Sequence, residues 1–159
     1  MTEIDQLLYN LGHVAGLAQP LRFDEQGCAR LMFDGHLAID FERDQDAGLL
    51  QVYSVLGLLP AQGREALLLQ LLQANLFGAD TAGATLAIDS QTASGGDILL
   101  CRSVNVQGLA APDFVRLVEQ FVAAAEAWKE RLAAWQPSAA PEAAAPLAPT
   151  PAPGLFLRA

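Results

Sequence analysis

REALLLQLLQANLFG, residues Arg64 to Gly78, is the stretch on which the fold turns. Pro60 and Gly63 break the chain before it. Gly78 closes it, since glycine takes positive φ at a helix end without a Cβ penalty. The interior is leucine, glutamine, glutamate and alanine, all good helix formers. A helix over 64–78 is therefore predicted. On a helical wheel Leu67, Leu71 and Ala74 fall on one side, Leu68, Leu72 and Leu76 beside them, and Leu69 further round. The apolar arc spans roughly 220°, well beyond the ~100° stripe that one core face needs. Such a helix has two surfaces to bury. One meets its own sheet; the other meets either the interior of a monomer or a second subunit.

Strands flank this helix on both sides. Cys28–Phe33 (CARLMF) lies between Gly27 and Asp34-Gly35, a dipeptide suited to a tight hairpin. Leu37–Glu42 (LAIDFE) alternates, with Leu37, Ile39 and Phe41 on one face and Ala38, Asp40 and Glu42 on the other. Leu49–Leu58 follows an Asp46-Ala47-Gly48 turn, and Leu21–Asp24 reads as a shorter strand ahead of the three. Connections this short make an antiparallel meander. After the helix, Ala84–Asp89 and Asp97–Asn105 read as two strands around Ser94-Gly95-Gly96.

Helices close both ends. Thr2 caps a helix expected to reach Ala18, with Asp5 three residues on as a capping-box partner and Pro20 as its stop. Gly12 and Gly16 weaken it. Pro112 and Asp113 open a helix to about Trp135, with Phe114, Leu117, Val118, Phe121, Ala125, Trp128, Leu132 and Trp135 on its apolar side. The expectation is an α+β domain over residues 1–135, one antiparallel sheet packed with three helices in the order α-βββ-α-ββ-α. Residues 136–159 hold six of the nine prolines among alanines. Such a composition cannot bury a core and reads as a disordered or polyproline-like tail, ending in the small apolar cluster LFLR.

Composition removes several function classes. Eighteen acidic against nine basic residues leave a formal net charge of −9. Nucleic-acid binding needs clustered Lys and Arg, and an acidic body is repelled by membrane surfaces. No stretch has the ~18 apolar residues of a membrane span. The N-terminus lacks the basic, then apolar, regions of a signal peptide. A cytoplasmic protein is expected, with Cys28 and Cys101 as buried free thiols. No nucleophile or phosphate-loop motif occurs. His13 and His36 read as surface residues, and no metal or cofactor is expected. Asp40 and Glu42 share a strand face, but a solvated face running into the acidic loop of Asp44 and Asp46 accounts for them without chemistry.

What stands out is apolarity. Hydrophobic residues make up 52% of the chain and charged residues 17%, which fits a surface partly covered by a partner. Leu31, Phe33, Leu37, Ile39 and Phe41 face one way, while Cys28 and Met32 add apolar area on the other. That describes either a buried central strand or a groove for an extended partner peptide.

The runs LLLQLLQANLFG, GATLAID, GGDILLCRSV and FVRLVEQFVAAAEAWKERL, in that order, resemble the type III secretion chaperones of the CesT (Tir chaperone) class I family. The resemblance covers about residues 2–135. It implies a non-catalytic homodimer in the cytoplasm of a Gram-negative bacterium, working without ATP or metal. The dimer would bind the N-terminal segment of a secreted effector in extended form and keep it soluble and secretion-competent. Carried onto this chain, it makes Leu68, Leu72 and Leu76 the dimer seam, and Leu31, Phe33, Ile39 and Phe41 the effector surface. A regulatory protein that sequesters a type III secretion anti-activator or regulator would use the same grooves. A small enzyme using Asp40, Glu42 or Cys101 would instead need a closed polar pocket around those side chains.

Overall fold

The computed structural model describes residues 2–44, 47–91 and 95–137. Asp46, Ser94 and the Pro/Ala segment from 138 onward lie outside them. Helix α1 (Glu3–Val14) comes first, followed by β1 (Cys28–Phe33), β2 (Leu37–Asp44) and β3 (Leu49–Leu58). Then come α2 (Arg64–Ala74), β4 (Thr85–Asp89), β5 (Asp97–Asn105) and α3 (Ala111–Ala134). The strands form one antiparallel sheet in the order β1-β2-β3-β5-β4, so β1 and β4 are its edges. This is the expected α-βββ-α-ββ-α architecture.

Register sorts the strand residues into two faces. Leu31 stands opposite Ile39, Phe41 opposite Val52, Leu50 opposite Val104, and Leu86 opposite Leu100. These side chains share a single core with Leu7, Leu8 and Leu11 of α1, Leu67 and Leu71 of α2, and the apolar side of α3. Phe114 of α3 sits over Phe41 with ring centroids 6.4 Å apart. Trp128 is also in the core and places its one polar atom well, donating from Nε1 to the Asp80 carbonyl at 2.8 Å. Full burial of side chains this large contributes about 1.5–3 kcal/mol each.

Besides a two-residue extension of β2 to Asp44, three differences from expectation have a clear physical cause. The first helix stops at Val14, not Ala18, because Gly16 (φ 71°) closes it. Gly16 N–H donates to the His13 carbonyl and Leu17 N–H to the Gly12 carbonyl, the two bonds of a Schellman end. Secondly, Leu21–Asp24 is not a strand. It crosses α1 at Gly12, where a Cβ would come within 2.9 Å of the Leu21 Cβ, so that glycine serves close approach. Thirdly, α2 ends at Ala74, and a short 3₁₀ turn, Leu76–Gly78, follows with Phe77 at φ 58°.

Candidate functional site

Among the described residues, the sheet face away from the core is half open. One cross-strand row traverses it: Arg30 on β1, Asp40 on β2, Tyr53 on β3, Cys101 on β5 and Thr85 on β4. Arg30 holds Asp40 through two bonds, Nε to Oδ1 at 2.6 Å and Nη2 to Oδ2 at 3.1 Å. Asp40 is thereby buried and paired, not part of a freely solvated acidic face. Burial, with the Asp40 and Glu42 charges adding, pushes the Tyr53 phenol up. On one side of this row the face is polar, where Ser103 Oγ meets Gln51 Oε1 at 2.6 Å. On the other it is apolar, with Met32 and Val55 49% and 44% exposed.

Two clefts lie between α1 and this face. Asp5, Tyr9, Arg22 and Phe23 line a cavity of about 270 Å³. Arg22 also borders a shallower cleft with Asp24, Cys28, Arg30, Asp40 and Tyr53. Arg43 braces the first cleft from beneath: its guanidinium pairs with the Asp5 carboxylate and lies 4.4 Å from the Phe23 ring centroid. The two clefts meet at Arg22, one on the α1 side of the Leu21–Asp24 segment and the other on the open face beside β1.

A further apolar surface lies on α2. Leu67, Leu71 and Ala74 bury against the sheet. Leu68 is half-buried, while Leu69, Leu72, Leu76 and Phe77 are exposed in the single chain. The residues expected at a dimer seam thus lie on one ridge, with Leu68 at its inner margin.

The residues expected to face an effector are placed differently. Leu31, Ile39 and Phe41 are core residues, at most 2% exposed, and Phe33 is half-buried at the end of β1. Helix α3 takes this face of β2 and β3, so the open surface is the other one, Arg30, Met32, Tyr53 and Val55. Alternation made both faces visible in the sequence; Cys28 and Met32 were the signal for the second. Phe77 was hidden inside a predicted helix.

Chemistry finds little purchase here. Burial raises the Cys101 thiol, and burial with the neighbouring carboxylates of Glu42, Asp24 and Asp40 raises Cys28, which disfavours both thiolates. His13 and His36 are exposed and line neither of the two clefts. Among the described residues no group of three or more His, Cys, Asp or Glu is placed to hold a metal ion. No helix among them is long and apolar enough to cross a membrane.

The described residues form a small α+β domain with one sheet face buried, the other half open and an apolar helix ridge exposed, and this architecture is that of the type III secretion chaperones. Residues 6–129 match the model of the Tir chaperone protein (CesT) family, and the chain belongs to that family. A Chlamydia pneumoniae protein, CPj0713/CpB0740, is 27% identical over 125 residues, covering 79% of this chain and 92% of its own. A chain of the HopA1–SchA chaperone–effector complex superposes with a TM-score of 0.64 at 23% identity, over 80% of this chain and 94% of that one. The Yersinia pestis type III secretion chaperone SycH, solved with a fragment of YscM2, does so with a TM-score of 0.60 at 19% identity, over 80% and 99%. At these identities the likeness to the solved structures is one of fold.

Proposed function

We propose that this chain is a cytoplasmic chaperone that, as a homodimer, holds the N-terminal segment of a secreted effector in extended form. The observation that carries this reading is the pair of clefts that meet at Arg22, the second of them lying on the open sheet face beside the edge strand β1. An edge strand offers backbone donors and acceptors to an extended peptide, and Met32 and Val55 offer apolar contacts beside it. The solved chaperone–effector complex of the same fold supports the choice of client. The α2 ridge supplies the contact between protomers. Binding would need no cofactor or metal, and no bond is made or broken.

The test is co-expression with the N-terminal segment of the secreted protein encoded beside this gene, followed by mass measurement on the eluting complex. Two copies of this chain with one client are expected. Failure to bind the client, or a chain that stays monomeric at every concentration, overturns the reading. Leu72→Asp is expected to give a folded monomer, because Leu72 is 68% exposed in the single chain and its charge would be buried only in the dimer. Met32→Asp with Val55→Asp should weaken the client complex and leave the dimer intact.

A further inference from the structure

Phe77 is 95% exposed, the most of any large apolar residue described, and its backbone is left-handed at φ 58°, ψ 11°. That region is unfavourable for any residue with a Cβ, and a bulky one there persists only where its surroundings dictate it. Among the described residues the ring itself packs on almost nothing. The frame around it does the holding. Before it, Asn75 is clamped by both amide atoms to Leu86, at 2.8 and 3.0 Å. After it, Gly78 lies so close to Gly83 that a Cβ would come within 2.9 Å of the Gly83 Cα, and Gly83 N–H donates to the Gly78 carbonyl. Thr81 is fully buried and its hydroxyl donates to the Ala84 carbonyl at 2.6 Å. Trp128 of α3 holds the Asp80 carbonyl, and Arg102 of β5 holds that of Ala82 at 3.1 Å. The loop from Asn75 to Gly83 is a rigid mount that holds one aromatic ring out into solvent.

Charge indicates what the ring meets. From Ala66 to Ala79 there is no ionisable side chain, on a chain of net charge −9. Two copies of so acidic a chain repel each other over most of their surfaces, and this ridge is where they approach at least electrostatic cost. It is also continuous: Leu69, Leu72 and Leu76, each more than half exposed, lead directly to Phe77. We propose that Phe77 is the preorganised anchor of the contact between two copies of this chain, held in a left-handed conformation by the Asn75–Gly83 mount. This rests on the dimer reading above and names its central residue. A two-fold axis pairing α2 antiparallel, centred between Leu72 and Gln73, sets Phe77 opposite Leu68 of the partner subunit and Leu76 opposite Leu69 of the partner subunit. Binding a ring that is already positioned avoids the ordering cost that a mobile side chain would carry.

The discriminating variant is Phe77→Asn, since asparagine tolerates left-handed backbone and removes the ring. The dimer dissociation constant is expected to rise about tenfold or more. In the Leu72→Asp monomer the same change should leave the melting temperature unchanged or raised, because no packed contact is lost and strain is relieved. An unchanged dissociation constant in a wild-type protein that does dimerise overturns this proposal alone. So does a loss of client capture at unchanged dimer affinity, which would assign the ring to the client. A wild-type chain that is monomeric at every concentration removes the dimer reading as well.

Discussion

The side-chain amide of Asn75 makes both hydrogen bonds that a further strand would make to Leu86. It donates to the Leu86 carbonyl at 3.0 Å and accepts from the Leu86 N–H at 2.8 Å. Leu86 lies on the edge strand β4 and is buried, so these groups have no recourse to water. One side chain at the C-cap of α2 thereby ties the helix to the sheet and closes part of an exposed edge.

Removing that amide is expected to be costly. Asn75→Ala leaves a buried donor and acceptor unpaired, and a loss of about 1–3 kcal/mol in unfolding free energy is expected from urea titration. Asn75→Asp, which keeps the acceptor and loses the donor, should fall between. Leu86 amide exchange should quicken in both variants. An Asn75→Ala protein as stable as wild type would show that the helix is held by its leucines alone.

Acid should loosen the first helix through Asp5. Its carboxylate accepts from Thr2 Oγ1 at 2.7 Å and Thr2 N at 2.8 Å and pairs with Arg43. The Thr2 bonds foremost, with the Arg43 charge assisting, hold it below the ordinary value of 3.8. A depressed folded value means that the stabilisation is complete above the unfolded pKa and is lost as pH falls through the folded one. Asp5→Asn should therefore cost about 1 kcal/mol at neutral pH. The gap from wild type should close as pH drops below about 4. A gap that persists undiminished in acid would place the effect in packing.

The Arg30–Asp40 pair should be modest in energy. Arg30's side chain is 64% exposed and Asp40's 11%, so solvent screens one partner. A double-mutant cycle with Arg30→Gln and Asp40→Asn is expected to give a coupling of about 0.5–1 kcal/mol, shrinking with added salt. Asp40→Asn alone should leave the fold intact. A coupling of several kcal/mol would mean that the pair is far more enclosed than its open row on the sheet indicates.

Much of the architecture could be read locally. CARLMF followed by Asp34-Gly35 could hardly be other than a strand running into a tight turn, and β1, β3 and β5 begin and end where alternation and turn residues put them. Thr2 and Asp5 form the capping box that their spacing suggested. The end of α2 was less legible, because Asn75 and Phe77 look like helix residues. What stops the helix is Leu86, eleven residues on in sequence, taking both atoms of the Asn75 amide.

The same division runs through the candidate binding surface. Sequence alone determined the element order, the two-faced strands and an α2 with more apolar surface than one sheet can cover. These are properties of period and composition, carried by near neighbours in the chain. Which face of β1 and β2 closes and which stays open was decided only by tertiary structure. A period of two marks both parities equally, and only α3, laying Phe114 over Phe41, makes Leu31, Ile39 and Phe41 the core and leaves Arg30, Met32 and Tyr53 outside. The left-handed Phe77 is likewise a tertiary outcome, since its conformation is dictated by Leu86, Gly83, Arg102 and Trp128, none of them its neighbours in sequence.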